Sequence, residues 1–272
     1  VGVLSGASVA GMTFLVPIAM WFILTVGWRT TYLLLGALTL ALVLPLSLWV
    51  LKDDPEAIGE RPDGLAPDAG GGWGPGAVVE RTAVSEAILA PSFWQLSGGL
   101  FTCGFSMSLL SAHGVPMLTD HGFHPMTASW ALGLLGATSI AGALGMGLLS
   151  DRLGRKPVLA SVYLLRALAF SVLFLAQDPF TLMVVAAIGG LGMAGSLAMT
   201  SALTGDLFGR FSMGSIFGLI FLVHQAGAAL GSWLAGFLFD LTGGYGAAFA
   251  VACALLLMGS GLSLTIDERF KR

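Results

Sequence analysis

The stretch GLLSDRLGRK, residues 147–156, crowds Asp151, Arg152, Arg155 and Lys156 together between one run without a charge (121–150) and another (157–177) whose lone charge is Arg166. Read outward in both directions, the same alternation fills the chain. Further charge-free windows cover 1–28, 30–51, 87–119, 179–205, 211–239 and 241–266. Each of the eight reaches or exceeds the ~20 apolar residues needed to cross a hydrocarbon core. Backbone amides in lipid must be satisfied within their own segment, so each window is predicted to be one membrane-spanning helix.

Composition points the same way. Of 272 residues 56% are hydrophobic, 39 are glycine and only 10% are charged, against about 25% charged in a soluble domain. The mean hydropathy is +0.89. So few charges cannot clothe a soluble globule of this size, which excludes a soluble enzyme and a disordered segment. The net charge of −3 argues separately against a nucleic-acid binder. The fold class expected is an all-α integral membrane protein.

One segment differs in kind. Residues 52–86 carry eleven charges around the run GGGWGPG (70–76), which cannot support a helix. It reads as an aqueous linker. The expected organisation is therefore two spans in 1–51, the linker in 52–86, and six spans in 87–272. Ten of the 12 Lys and Arg fall in the linker, in 150–156, in 206–210 and in 267–272, while the opposite loops hold only Arg29. Translocated loops are depleted in Lys and Arg, so the linker and the C-terminal DERFKR are predicted to be cytoplasmic.

The first two spans resemble the last two. Gly2-x-x-x-Gly6 opens one pair and Gly214-x-x-x-Gly218 the other; GWRTTY (27–32) answers GYGAAF (244–249), with Gly27 over Gly244 and Trp28 over Tyr245. Internal repeats are common in transporters. The repeat predicts that partners of spans three to six lie upstream, as four further helices of the same polypeptide. The absence of an initiator Met fits a fragment of that kind.

The loop that opened the reading also carries a resemblance. GLLSDRLGRK matches the pattern G-x-L-[S/A]-D-R-x-G-R-[K/R] at Gly147, Leu149, Ser150, Asp151, Arg152, Gly154, Arg155 and Lys156, and so resembles the loop between the second and third helices of each half in the major facilitator superfamily. The resemblance implies a 6+6 helical fold, here eight helices without the first four, and a loop that latches inward- and outward-facing states. Physically, Gly147 would let two helices approach, Asp151 would accept amides at a neighbouring helix N-terminus, and Gly154 would permit a tight reversal. The resemblance places Asp151 near the start of span one, and the lone carboxylate at that edge, Asp206, near Arg152 or Arg155. SGASVAGMTFLVPIAMWFILTVGWR (5–29) and FLVHQAGAALGSWLAGFLFDLTGGY (221–245) resemble the monocarboxylate and oxalate/formate branch more narrowly. Carriers of that branch place an Arg in the second helix of the C-terminal half, whereas 121–150 holds neither Arg nor Lys.

Ionisable groups at bilayer depth cost about 2.5–3.5 kcal/mol to insert and tend to be functional. His224 and Arg166 each lie one residue from the centre of their windows. His224, with Gln225 beside it, reads either as a contact to solute or proton or as a hydrogen bond between helices. The Gly227-x-x-x-Gly231 ridge on its flank is expected to place it at the border of cavity and interface. Arg166 cannot neutralise and must find an anion or a carbonyl, in a structural or a binding role. GLGMAG (190–195) has the spacing of a dinucleotide loop, yet inside an apolar window its glycines serve helix packing or bending. His113, Asp120, His121 and His124 cluster in an outer loop, expected to be solvated rather than metal-binding. Cys103 and Cys253 occupy separate windows without disulfide or metal spacing.

Taken together these readings predict a secondary active transporter of a small organic solute, a monocarboxylate or other organic anion among them, working by alternating access. The partners expected are the lipid bilayer, the solute, and protons or a counter-solute; no cofactor, metal or nucleic acid is expected. The location expected is a bacterial inner (plasma) membrane. A sensor or scaffold on a transporter fold is the alternative, and a membrane-embedded enzyme is a weaker one because His224 is the one base at membrane depth.

Overall fold

The structure is a computed structural model and describes residues 2–49, 82–193, 195–209 and 212–267. Among these it is helical with no strand. The helices are α1 (Gly2–Val26), α2 (Trp28–Trp49), α3 (Val84–Leu89), α4 (Pro91–Asp120), α5 (Pro125–Leu153), α6 (Arg155–Leu175), α7 (Pro179–Leu191), α8 (Gly195–Phe208), α9 (Met213–Thr242) and α10 (Gly246–Leu264). Six stretches are long and apolar enough to cross a membrane: α2, α5, α6, α7 with α8, α9 and α10. The charges of 52–81, and Arg210 and Glu268–Arg272, lie outside the described residues.

Helix starts follow local chemistry. Proline occupies the first turn of α4, α5 and α7, where its missing N–H costs nothing and its fixed φ suits the helix. The His124 ring accepts the Met126 N–H at 3.2 Å before α5, and Asp178 Oδ1 accepts the Thr181 N–H at 2.9 Å before α7. Hydrogen bonds from Thr181 hold the Asp178 carboxyl below its ordinary pKa.

The chain divides into two compact units, Val1–Met20 with Glu80–Arg272, and Trp21–Val79. In the smaller unit Gly27, at φ +81°, ends one helix and the Thr31 hydroxyl donates to its carbonyl at 2.9 Å. In the larger unit α4 packs most extensively on α9, α10 on α6, and α5 on α7. Glycine makes the first and third of these contacts possible. A Cβ at Gly227 would strike the Phe101 carbonyl, one at Gly231 the Phe105 carbonyl, and one at Gly104 the His224 carbonyl. Gly142 of α5 meets Leu191 of α7 in the same way, and Gly190 meets Leu135 and Thr138. Where backbones touch, dispersion replaces the hydrophobic drive that lipid cannot supply.

Several expectations need correction. The window 179–205 is two helices, because Gly192 and Met193 turn between α7 and α8 with their N–H groups bonded back to Gly189 and Gly190. The window 87–119 is also interrupted, since Pro91 restarts the helix after Ala90. α3 begins at Val84, so helix reaches into the segment read as linker. His113 lies within α4 rather than in a loop, its Nε2 3.0 Å from the Ser232 carbonyl of α9. Among the described residues a Cβ on Gly147 meets nothing within 4 Å, while close backbone approach occurs at Gly142 and Gly190.

Candidate functional site

α6 carries two arginines that reach α8 at its two ends. Arg155 opens α6 directly after Gly154, whose φ of +91° lets α5 reverse into α6. Its Nη1 lies 2.5 Å from Asp206 Oδ2, in the last turn of α8, with the two side chains 33% and 55% exposed. Each charge sits at the wrong end of its own helix dipole, the cation at an N-terminus and the carboxylate at a C-terminus; pairing offsets both penalties. Asp151 and Arg152 are exposed in the last turn of α5. Asp151 lines a cleft with Gly147, Ser150, Arg155, Gly195 and Ala198. Lys156 Nζ donates to the Ile266 carbonyl at 3.1 Å and ties the end of α10 to the same corner.

Eleven residues and three turns further along α6, Arg166 lies on nearly the same face and is fully buried. Nη2 donates to the carbonyls of Gly192 at 2.8 Å and Met193 at 2.5 Å, and to Ser196 Oγ at 3.2 Å. Nη1 donates to Cys103 Sγ at 3.2 Å and Ser106 Oγ at 3.3 Å. The break between α7 and α8 orphans those two carbonyls, and in an apolar interior each unpaired group costs about 1–3 kcal/mol. The guanidinium fork satisfies both at once. Nε has no hydrogen-bond partner. The void beside the guanidinium, about 10 Å³ and lined by Leu135, Phe170, Val185 and Ala186 among others, is no larger than one water requires.

His224 sits on α9 at 8% exposure, opposite Gly104. Its ring stacks on Phe221 at 5.0 Å, and Nδ1 lies 3.0 Å from Gln225 Oε1. A carbonyl oxygen there requires the hydrogen on Nδ1, which leaves Nε2 an acceptor. Nε2 has no hydrogen-bond partner; Cys103 faces it from α4. The structure thus brings Arg166 and His224 to one thiol, and keeps the Asp151–Lys156 loop with Asp206 as a separate group at the end of the bundle. The outer histidines have other uses: His113 on Ser232, His121 against Phe174 at 5.2 Å and His124 as a cap. Among the described residues no cluster could hold a metal ion.

Sequence reading missed Cys103, Ser106 and Ser196. Nothing marks a serine or cysteine in an apolar helix as a ligand, and the one usable signal was GLGMAG, whose glycines mark the break that Arg166 fills.

The helices and their packing are those of a multi-pass membrane protein, and comparison gives the family. The model of the Major Facilitator Superfamily matches residues 96–271, and this chain belongs to that superfamily. It is 29% identical to the uncharacterized MFS-type transporter YcxA of Bacillus subtilis over 97% of the chain and 62% of that protein. It is 27% identical to monocarboxylate transporter 13 of Rattus norvegicus over 98% of the chain and 59% of that protein. Multidrug resistance protein MdtH of Cronobacter sakazakii is 31% identical over 64% of the chain and 44% of its own length. The chain therefore spans about 60% of the length of the first two. The crystal structure of a bacterial homolog of the human lysosomal transporter Spinster, inward-facing and occupied, matches with a TM-score of 0.54 at 18% identity, over 88% of this chain and 55% of that one, which speaks to the fold alone. The chain is a multi-pass membrane protein, and YcxA and monocarboxylate transporter 13 are named as transporters.

Proposed function

We propose that the protein of which these helices form part is a secondary active transporter that moves a small organic solute by alternating access. The observation that carries this reading is the GLLSDRLGRK corner, where Arg155 binds Asp206 and Lys156 binds the end of α10. Such a corner fixes three helices through partly exposed contacts, the ion pair contributing about 0–1 kcal/mol, weak enough to break and remake during a transport cycle. We assign the described helices to the last eight spans of a 6+6 arrangement, two in residues 1–51 and six in 87–272, joined by 52–86. The corner and the C-terminus would face the cytoplasm, in a bacterial inner membrane. Both the repeat and the share of the relatives' length support that assignment.

The solute class follows from chemistry and from kin. Gln225, exposed at mid-helix beside His224, keeps its amide N–H groups free to donate, which suits a carboxylate or a small polar group. The relative named as a monocarboxylate transporter favours the first. Arg166 gives its fork to protein groups, so its part is to hold the helix break. The test is flux of radiolabelled monocarboxylates and other organic anions into proteoliposomes containing the full-length protein. Asp151→Asn should abolish flux with insertion intact; unchanged flux in that variant would remove the latch from the mechanism. His224→Ala should lower flux and alter its pH profile between about pH 5 and 8, and wild-type flux with a wild-type profile would remove His224.

A further inference from the structure

The environment of Arg166 is short of one negative charge. A guanidinium does not deprotonate in proteins, and a buried charge is stable only when paired and hydrogen-bonded. Its partners are two carbonyls, two hydroxyls and one sulfur, with no carboxylate among them. Of these groups only the sulfur can carry a full charge. Cys103 is itself fully buried. Its Sγ lies 3.2 Å from Arg166 Nη1, 3.2 Å from Ser196 Oγ and 3.7 Å from Met107 Sδ. Ser196 is the second residue of α8, so the sulfur lies by the positive end of that helix. A fixed cation together with a helix N-terminus is the setting in which thiols ionise.

We propose that Cys103 is the resident thiolate counter-ion of Arg166, and that Cys103 and His224 together form the proton-binding site of the protein. His224 Nε2 is nine-tenths buried with no hydrogen-bond partner, its residue interacts with Cys103, and the Gln225 contact leaves Nε2 an acceptor in the neutral ring. When the thiol ionises, the S–H bond breaks and an N–H bond forms on Nε2. The pair keeps its net charge, and the imidazolium and guanidinium then flank one thiolate. A second proton, arriving on the sulfur, leaves Arg166 with carbonyls and hydroxyls alone. Arg166 is also what holds the α7–α8 break, so proton occupancy bears directly on that break. The groups facing Cys103 are Arg166 and Tyr163 from α6 and His224 from α9. From α8 comes Ser196, which does not titrate at these pH values, and α5 and α10 bring no charged side chain to it among the described residues. Cys253 of α10 is engaged elsewhere, with Ser171 and the Ala167 carbonyl.

The proposal rests on the transporter reading for its meaning and on spectroscopy for its test. The S–H stretching band of Cys103 would be followed by infrared difference spectroscopy of the protein in lipid nanodiscs, with Cys253→Ala as background and Cys103→Ser as the blank. The expected result is a band that is at least about tenfold weaker at pH 8 than at pH 5, the change that one unit on either side of a midpoint allows. Arg166→Gln should keep the band at full strength throughout. Should that variant fail to fold, Arg166→Lys, which keeps the charge, should still give a titrating band. His224→Gln, which cannot take the proton, should move the midpoint upward. A band of constant strength from pH 5 to 8 in the otherwise wild-type protein would overturn the proposal. Absence of flux for every solute tried, with the band still titrating, would count against the transporter reading and leave this site standing.

Discussion

Arg155 and Arg166 do the same mechanical job by opposite means. Both stand on one face of α6 and hold α8, Arg155 at the end near Asp206 and Arg166 at the end near Ser196. Arg155 is part-exposed and meets a carboxylate. Arg166 is sealed from solvent and meets carbonyls, hydroxyls and a thiol. At the exposed end a full countercharge costs little, because water already solvates both ions, and the pair contributes correspondingly little. In the interior a carboxylate would have to be desolvated as well. Backbone carbonyls orphaned by a helix break need donors anyway, and so they serve as most of the counter-dipole. The interior clasp is thus built from the break it repairs.

That contrast is broken first at the buried end. Arg166→Met removes both donors of the α7–α8 carbonyls and should cost about 2–4 kcal/mol. Thermal unfolding in detergent, followed by tryptophan fluorescence, should show the largest loss of any single substitution at either clasp. Arg166→Lys should recover part of it, since one ammonium cannot reproduce the fork. A melting curve for Arg166→Met within error of the wild type would mean that the carbonyls find other donors and that the buried clasp is dispensable.

The next test asks whether the interior clasp depends on close backbone approach. Gly190 lies against the Leu135 carbonyl and Thr138 of α5, so a methyl there must push the end of α7 away and carry the Gly192 and Met193 carbonyls with it. Gly190→Ala should destabilise by about 1–3 kcal/mol. Gly147→Ala, near the exposed end, meets open space among the described residues and should be neutral or stabilising by up to about 1 kcal/mol from helix propensity alone. Equal melting temperatures for the two variants would erase the distinction.

The exposed end was far more legible in the sequence than the buried one, for a physical reason. Charges in a membrane protein are sparse and topologically placed, so the windows, the loop around Asp151 and the lone Asp206 stand out against an apolar background. The interior is written in residues that are common everywhere. A charge-free window reports that a segment can lie in lipid, and says nothing of whether it is one helix or two, so 179–205 read as one. Arg166 announced its need for a carbonyl or an anion. The residues whose carbonyls answer it, Gly192 and Met193, were hidden among what read as packing glycines in GLGMAG. Cys103 and Ser196 come from helices distant in sequence, and only the packing of α4 on α9, allowed by Gly104, brings the thiol under His224.

At the exposed end the expected effect on stability is smaller. Asp206→Asn should cost no more than about 1 kcal/mol, and less at high salt, because the pair is screened. Exchanging the charges, Arg155→Asp with Asp206→Arg, should restore what Asp206→Asn loses, and would place each charge at the favourable end of its helix dipole. A loss by Asp206→Asn as large as that of Arg166→Met would show that exposure does not govern the strength of the two clasps.

The smallest effect is expected at the far end of the same interrupted span, where Asp178 caps α7 and is fully exposed. Its folded pKa lies below the ordinary carboxylate value, so the folded state favours the ionised form. The contribution to stability is therefore complete at pH values above the unfolded pKa, about 3.9, and is lost as pH falls through the lowered folded value. Asp178→Ala should melt slightly below the wild type at neutral pH, with the gap closing as the medium is acidified below about pH 4. Asp178→Asn keeps an acceptor for the Thr181 N–H but carries no charge, so its melting temperature relative to Asp178→Ala should not depend on pH. A gap between wild type and Asp178→Ala that widens on acidification would reverse the sign of the linkage and show that the cap favours the neutral carboxyl.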